Sequence, residues 1–375
     1  MDKLRTAVIG CGKVAHIHAE VLAAIPESRF VAACGRDAGR TQAFADVYGV
    51  KPYTSVEQMV AAGGVEAVVV ATPHPAHAAV TTAALCAGAH AIVEKPLASS
   101  LEDCDAMIGA ARASGRKLAM ISQRRLYRPV QRVKEAIDAG KLGTPILGTV
   151  TMLGWRDEKY YRSDPWRGSW DGEGGGVLVN QAPHQIDILQ WYMGEVAELY
   201  GAWANLNHPY VEVEDTSVAV VRFRSGALGN LVVSNSQNPA LFGKVWVHGS
   251  NGATAGVQTD GGAMFVAGMS KVSEPPRNDI WKVPGEEAEL ARWQQQDCDF
   301  FQGIDATKHY HALQIREFLQ AIRLDRPVAI SGEEGRRTVE IFTAIYRSQR
   351  DGRPVSFPLQ AEAGRTDRDG RTPSD

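Results

Sequence analysis

Residues 6–15 read Thr-Ala-Val-Ile-Gly-Cys-Gly-Lys-Val-Ala, and this stretch decides the fold. The apolar run 6–9 predicts a buried strand, and apolar residues at helical spacing follow from Val14 onward. Between them, Gly10 permits a tight turn, Gly12 lets a ligand approach the backbone, and Ala15 allows the helix to pack on the strand. The pattern is typical of a dinucleotide site with phosphates at the helix N-terminus. The alternative is a tight turn that binds nothing.

Short strands and helices alternate through residue 122. Further strands are predicted at Phe30–Cys34, Ala67–Ala71, Ala91–Val93 and Leu118–Ser122. The strand at 67–71 is apolar without alternation, as expected for a parallel strand covered on both faces. We therefore predict an α/β fold in which residues 1–123 form a Rossmann domain with a doubly wound parallel sheet.

Consecutive strands replace this alternation after Gln123. They are predicted at Ile146–Leu153, Leu199–Asn205, Ser217–Arg224, Leu228–Ser234 and Lys244–Val247. Helices are predicted at about residues 182–193, 313–322 and 333–347. This order predicts a second, α+β domain over residues 124–360 with a mostly antiparallel sheet. Residues 361–375 are rich in Arg, Asp, Gly and Thr and are predicted to be a disordered tail.

The composition of the chain argues against several classes of function. The net charge of −3 over 375 residues gives no global electrostatic support for a nucleic-acid or anionic-membrane partner. The five cysteines are scattered and form no CxxC pair, which favours a reducing compartment. Because no signal peptide precedes the first strand and no stretch of 18 residues is apolar, a cytoplasmic location is predicted.

The end of the second strand bears on the choice of cofactor. An acidic residue at this position would bind the ribose hydroxyls of NAD, but the sequence has Gly35 followed by Arg36. The glycine leaves room for a 2′-phosphate and the arginine offers charge, so NADP is preferred. If Arg36 is only solvated and Asp37 reaches the ribose, the cofactor is NAD.

Two further strand ends at the same sheet edge carry polar residues. Thr72 and Pro73 precede His74 and His77, whose HxxH spacing imitates a metal site but has no third ligand. We therefore predict a cofactor contact and no metal. Glu94-Lys95-Pro96 follows the next strand, where a partly desolvated lysine is suited to proton transfer, and the proline suggests a cis bond. The alternative is a surface Lys–Glu pair.

A second cluster begins at the glycines of residues 174–176. Asn180, His184 and Asp187 follow at spacings of four and three, so they share roughly one helix face. A histidine there can exchange the proton of a secondary alcohol near neutral pH. The alternative is a core histidine whose hydrogen bond is satisfied by Asp187.

Taken together, these motifs resemble those of the Gfo/Idh/MocA family, named after glucose–fructose oxidoreductase, inositol dehydrogenase and a rhizopine-catabolism protein. The resemblance rests on residues 7–12, 71–73 with His77, 94–97, 174–176 with His184 and Asp187, and 344–348. It implies that Lys95 and His184 act on the reacting hydroxyl while a hydride passes to or from nicotinamide. It also implies a large open sheet in the second domain that forms homodimers or homotetramers.

One departure from the family pattern concerns Asn180, because many members carry aspartate at this position. An amide can orient a hydroxyl but cannot act as a base. The residues predicted to contact the cofactor are Gly10, Gly12, Lys13, Val14, Ala15, Gly35, Arg36, Asp37, Ala71, Thr72, Pro73, His77, Glu94 and Lys95, and the resemblance adds Trp166 and Arg167. Those predicted to contact substrate are Lys95, Arg125, Tyr127, Tyr161, Asn180, His184 and His311, with Tyr160 and Trp170 as further aromatic candidates.

The leading functional prediction is an NAD(P)-dependent oxidoreductase acting on a sugar, cyclitol or related polyol, with Lys95, His184 and Asn180 as catalytic residues. A second is a cofactor-retaining enzyme that cleaves glycosides by transient oxidation and elimination. A third is a non-catalytic dinucleotide sensor, against which the Lys95–His184 pair argues, because a sensor needs no proton relay.

Overall fold

The computed structural model describes residues 3–262 and 265–362. Most of the predicted tail therefore lies outside the described residues. Within the described ranges, no helix is long and apolar enough to cross a lipid bilayer. The chain forms two compact units. The first consists of Met1–Gln123, Val266–Ser270 and Thr307–Arg336, and the second of Arg124–Phe265, Lys271–Ala306 and Arg337–Asp375.

The N-terminal elements alternate as the sequence predicts. They are β1 (Leu4–Ile9), α1 (Lys13–Ala24), β2 (Ser28–Cys34), α2 (Ala38–Tyr48), β3 (Lys51–Tyr53), α3 (Val56–Gly63), β4 (Ala67–Val70), α4 (His77–Cys86), β5 (His90–Val93), α5 (Leu101–Ser114) and β6 (Leu118–Met120). The six strands are parallel in the order β3-β2-β1-β4-β5-β6. This order reverses beside β1, which confirms the doubly wound Rossmann sheet.

The remaining elements are dominated by strands. They are α6 (Arg128–Asp138), β7 (Pro145–Leu153), α7 (Glu158–Tyr161), α8 (Trp170–Glu173), α9 (Pro183–Met193), β8 (Val196–Ala204), β9 (Thr216–Phe223), β10 (Leu228–Ser234), β11 (Phe242–Gly249), β12 (Thr254–Asp260), β13 (Arg277–Lys282), α10 (Glu289–Gln302), α11 (Ala306–Arg323), α12 (Gly332–Asp351) and β14 (Val355–Ser356). Eight strands form one sheet in the order β13-β12-β11-β7-β10-β9-β8-β14. Pairing is antiparallel except between β7 and β10, so the predicted mostly antiparallel sheet is confirmed.

The division into units differs from a single boundary after residue 123 in two segments, Val266–Ser270 and Thr307–Arg336. Residues Thr307–Arg336, late in the chain, belong to the first unit. The cause is apolar burial, because Ile315, Phe318 and Leu319 of α11 are at most 1% exposed and join the core beneath the parallel sheet. Burying three such side chains stabilises this arrangement by about 1.5–3 kcal/mol each.

The elements that the sequence pattern does not predict include β12 and α10. The strand β12 contains Gly256 and the polar residues Gln258 and Thr259, which interrupt the apolar alternation expected of a strand. The helix α10 has no buried residue, so it lacks the apolar stripe that identifies a helix in a sequence.

Candidate active site

The turn after β1 requires glycine at position 10. Gly10 has φ +111°, and a Cβ there would lie 2.5 Å from the carbonyl oxygen of Ala71. The Gly10 N–H donates to the oxygen of Cys34 at 2.8 Å, and the Ala71 N–H donates to Ile9 at 2.8 Å. Only a residue without a side chain lets the ends of β1, β2 and β4 meet so closely.

The helix that follows begins without a capping side chain. Its N-cap is Gly12, which offers none, whereas Asp37, Ser55 and Ser100 cap α2, α3 and α5 through side-chain oxygens. A Cβ built at Gly12 meets no atom within 4 Å, so open space lies in front of the first turn of α1. Because helix N-termini favour anions, this end of α1 fits the diphosphate of a dinucleotide.

At the end of β2, a side chain at position 35 would require its neighbours to move. A Cβ at Gly35 would lie 2.5 Å from Thr41 Oγ1 and 3.0 Å from Cys11 Sγ. Arg36 is exposed. The carboxylate of Asp37 accepts a hydrogen bond from the Arg40 N–H at 2.7 Å, and so caps α2.

His77 joins the loops that follow β4 and β5. Its Nε2 lies 3.0 Å from the carbonyl oxygen of Thr72, and its Nδ1 lies 3.1 Å from that of Pro96. The ring is fully buried, and burial lowers its pKa. These contacts give His77 a structural role in holding Thr72 and Pro73 beside the Lys95 loop.

Glu94 is a buried carboxylate with several partners, and Lys95 beside it is half-buried. Glu94 Oε1 lies 2.8 Å from His18 Nε2 and 3.9 Å from His311 Nε2, and Oε2 accepts from the Lys95 N–H at 3.0 Å. Burial favours protonation, but the hydrogen bond from His18 and electrostatic attraction to His18, His311 and Lys95 together outweigh it and lower the Glu94 pKa to about 2. The carboxylate is therefore ionised and fixes the backbone of Lys95, and the Lys95–Pro96 bond is cis.

The cluster of His18, Glu94 and His311 also has the chemistry of a cation site. One ligand atom from each of the three residues lies within 4.8 Å of the others. Both Glu94 oxygens already accept hydrogen bonds, which accounts for the cluster without an ion. Sequence reasoning did not single out His18, since a histidine inside an amphipathic helix carries no distinguishing signal.

In the second unit, the glycine run is held by Glu214. Gly175 has φ +147°, and a Cβ on Gly176 would lie 1.9 Å from the Glu214 carbonyl oxygen. The Glu214 carboxylate accepts from the N–H groups of Gly176 and Leu178 at 2.9 and 3.0 Å, and from the Tyr346 hydroxyl at 3.0 Å. Burial raises the Glu214 pKa to about 7. Sequence reasoning missed Glu214, which lies 36 residues beyond Leu178.

The segment after the glycines is helical but irregular. Val177–Gln181 forms a π-helical turn that contains Asn180, and α9 begins at Pro183. His184 is 5% exposed. The Asp187 carboxylate accepts two hydrogen bonds from Arg125, at 2.6 and 2.7 Å, and both side chains are buried. The predicted substrate residue Arg125 therefore holds the first part of α9 in place.

A polar cluster surrounds Asn180. The Asn180 amide donates to the Tyr160 hydroxyl at 2.9 Å and to the buried carboxylate of Glu173. Arg167 also donates to the Tyr160 hydroxyl, and its guanidinium lies 4.4 Å from the centre of the Trp166 ring. The structure thus brings the predicted residues Asn180, Trp166 and Arg167 into one cluster, together with Glu173, which sequence reasoning missed.

The other predicted aromatic residues differ in their surroundings. The Tyr161 hydroxyl accepts from Asn235 Nδ2 at 2.8 Å, and Tyr127 is buried with its pKa raised by desolvation to about 12. Trp170 is 3% exposed and packs edge-on against Trp203 and Tyr346. Trp170 therefore belongs to the core.

Two protein-family models match the sequence of this chain. A model described as an oxidoreductase family with an NAD-binding Rossmann fold matches residues 4–122, and the GFO/IDH/MocA C-terminal domain matches residues 130–255. The myo-inositol 2-dehydrogenase of Thermotoga maritima is 26% identical over 362 residues, covering 94% of this chain and 98% of that protein.

Solved structures agree over nearly the full length. The WlbA dehydrogenase from Bordetella pertussis, in complex with NADH and UDP-GlcNAcA, is 30% identical with a TM-score of 0.84 and covers 96% of this chain and 99% of that one. The WlbA enzyme from Chromobacterium violaceum is 28% identical with a TM-score of 0.82, covering 96% and 97%. The chain is therefore an oxidoreductase of the Gfo/Idh/MocA family with an NAD-binding Rossmann fold.

Proposed function

We propose that this protein transfers a hydride between a nicotinamide dinucleotide and a secondary alcohol or ketone of a sugar, cyclitol or related polyol. The observation that carries the proposal is the uncapped N-terminus of α1, which faces open space beside Gly12. The dehydrogenase relatives, among them the inositol enzyme, support the substrate class. The bound dinucleotide would supply the hydride acceptor or donor, and the protein supplies position and proton transfer.

We assign the proton chemistry to Lys95 and His184. The Lys95 ammonium would hydrogen-bond the oxygen of the reacting carbon and stabilise it as negative charge develops. The His184 imidazole would take the hydroxyl proton as the carbon gives up its hydride, and would return it in the reverse direction. Two features support these roles: Glu94 fixes the backbone of Lys95, and the Arg125–Asp187 pair fixes α9 near His184.

The cofactor preference that we propose is NADP over NAD. The chain has glycine where an acidic residue would bind the ribose of NAD, a side chain there would require Thr41 and Cys11 to move, and Asp37 uses its carboxylate to cap α2. The exposed Arg36 offers a guanidinium suited to a 2′-phosphate. Arg36→Ser should lower the ratio of kcat/KM for NADP to that for NAD at least about tenfold. An unchanged ratio would point to the ribose contact through Asp37 instead.

We also propose a homo-oligomer through the second unit's sheet. One face of its strands carries exposed apolar side chains at Leu147, Tyr200, Val218, Val220 and Leu228, between 37% and 59% exposed. An apolar sheet face of this kind is typical of an interface. Sedimentation velocity should give a dimer or tetramer, and Val220→Lys should shift it toward monomer.

The function is tested by absorbance at the reduced-nicotinamide band with NAD or NADP. The panel should hold cyclitols, free sugars and a nucleotide-linked sugar acid of the kind bound by the Bordetella pertussis enzyme. Lys95→Ala and His184→Ala should each abolish turnover, whereas Lys282→Ala, at an exposed lysine on β13, should not. Unchanged rates in both site variants would refute the assigned roles. Glycoside cleavage without net cofactor reduction, or tight binding without turnover, would replace the proposal by one of the two alternatives.

A further inference from the structure

A buried carboxylate stands directly behind Asn180. Glu173 is 1% exposed and accepts a hydrogen bond from the Asn180 amide nitrogen. Its second oxygen accepts from the Gly168 N–H at 2.6 Å, and its own N–H donates to Ser169 at 2.9 Å. Glu173 is therefore held by both backbone and side-chain contacts.

These contacts fix which way the Asn180 amide faces. A carboxylate only accepts hydrogen bonds, so the NH2 group of Asn180 must face Glu173. The same nitrogen donates to the Tyr160 hydroxyl at 2.9 Å. The two amide hydrogens thus have two protein acceptors, and the carbonyl oxygen Oδ1 points the other way. Tyr160 is held in turn by Arg167, which donates to its hydroxyl and lies 4.2 Å from its ring centre.

We propose that Glu173 is a positioning residue that fixes Asn180 as a hydrogen-bond acceptor for a hydroxyl of the substrate. Asn180 precedes His184 by four residues on the continuous turn from Val177 into α9, so the two side chains lie on approximately one face. Substrates must then donate a hydrogen bond to Asn180, which favours a hydroxyl over a keto oxygen beside the reacting carbon. This inference rests on the proposed oxidoreductase function and names a specificity determinant within it.

The Glu173–Asn180 pair also explains why a neutral amide, and not a carboxylate, suits position 180. Because an amide does not titrate, Asn180 adds no ionisation to the pH dependence of turnover. An aspartate at position 180 would face the Glu173 carboxylate within hydrogen-bond distance. Two carboxylates so close cannot both ionise, and one takes up a proton.

The test is an exchange of the two groups in the full-length protein, using Glu173→Gln, Asn180→Asp and the double variant E173Q/N180D. In the double variant, the amide oxygen introduced at position 173 still accepts from the Gly168 N–H, while the amide NH2 group donates to the carboxylate introduced at position 180. Glu158→Gln is the matched control, because Glu158 is an exposed partner of Arg162. Each variant is measured for kcat and KM against pH, and for its melting temperature against pH.

Each single variant should lose roughly 10- to 100-fold in kcat/KM, because a misdirected polar group costs orientation at the reacting carbon. Asn180→Asp alone should melt at progressively lower temperature as pH rises through neutrality. The double variant should recover the melting profile and most of kcat/KM, with a new acidic limb from the carboxylate at position 180. The control should match the wild type.

The proposal is overturned if Glu173→Gln keeps the wild-type kcat/KM and pH profile, or if the double variant recovers neither activity nor stability. The melting profiles decide the Glu173–Asn180 pairing even if no polyol is turned over. A wild type that melts normally but has no oxidoreductase turnover would therefore refute the proposed function, not the pairing.

Discussion

Substituting Gly10 and Gly12 one at a time distinguishes an effect on folding from an effect on cofactor binding. Gly10 adopts φ +111° and would place a Cβ 2.5 Å from the Ala71 carbonyl oxygen, whereas a Cβ on Gly12 meets nothing within 4 Å. Alanine at position 10 must therefore strain the protein itself. Alanine at position 12 fits the protein but fills the space that a diphosphate would enter.

The size of each effect follows from these geometries. For Gly10→Ala, the positive φ costs about 1–2 kcal/mol and the displaced loop about 1–3 kcal/mol more. In a domain of about 150–250 residues, each kcal/mol of lost stability lowers the melting temperature by about 2–4 °C. The melting temperature of Gly10→Ala should therefore fall by about 4–20 °C. Gly12→Ala exchanges one N-cap residue for a poorer one, which costs at most about 1 kcal/mol.

The assay combines thermal melts of both variants, with and without cofactor, and fluorescence titration with NADP and NAD. Gly10→Ala should melt early whether or not dinucleotide is present. Gly12→Ala should melt within about 4 °C of the wild type but bind dinucleotide at least about tenfold more weakly, which corresponds to 1.4 kcal/mol. Unimpaired binding by Gly12→Ala would refute the assignment of the open space before α1 to the diphosphate.

Three further predictions concern buried charge. The pKa of Glu214 is raised by burial to about 7, so its contribution to stability is present below about pH 4.5 and is lost as pH rises through 7, by roughly 3 kcal/mol in all. When the free energy of unfolding in urea is measured against pH, this loss should disappear in Glu214→Gln. The same pH dependence in the variant and the wild type would contradict the prediction. Burial raises the pKa of Glu94, but the His18 hydrogen bond and the attraction to His18, His311 and Lys95 together lower it to about 2, so its stabilisation is present above about pH 4.5 and fades on acidification. Glu94→Gln should therefore lose less stability than the wild type between about pH 5 and 3. Arg125→Leu removes the cationic partner of the buried Asp187 carboxylate, to which the Thr338 hydroxyl still donates at 3.4 Å, and should cost about 3–5 kcal/mol. The double variant with Asp187→Leu should restore part of this stability, and equal stability of single and double variants would contradict the ion pair.

Several parts of the candidate site could be predicted because their signals are local. The Gly10–Ala15 turn, the Glu94-Lys95-Pro96 loop and the spacing of Asn180 and His184 are each readable within a few residues. The partners of these residues could not be predicted in the same way. Asp187 pairs with Arg125, which lies 62 residues away, and Glu214 with Tyr346, which lies 132 residues away. A hydrogen bond between distant residues leaves no periodic pattern in a sequence.

The sequence by itself determined the two kinds of sheet, because unbroken apolar runs separated by helices require parallel strands, and alternating runs joined by turns require antiparallel ones. It also predicted where a dinucleotide would bind, because glycines at fixed spacing between a strand and a helix are typical of such a turn. Only the tertiary structure decided that α11 returns to the first unit, that His18 and His311 meet Glu94, and that Glu173 stands behind Asn180. Burial and hydrogen-bond satisfaction act between residues that are close in space, and closeness in space is set by the complete fold.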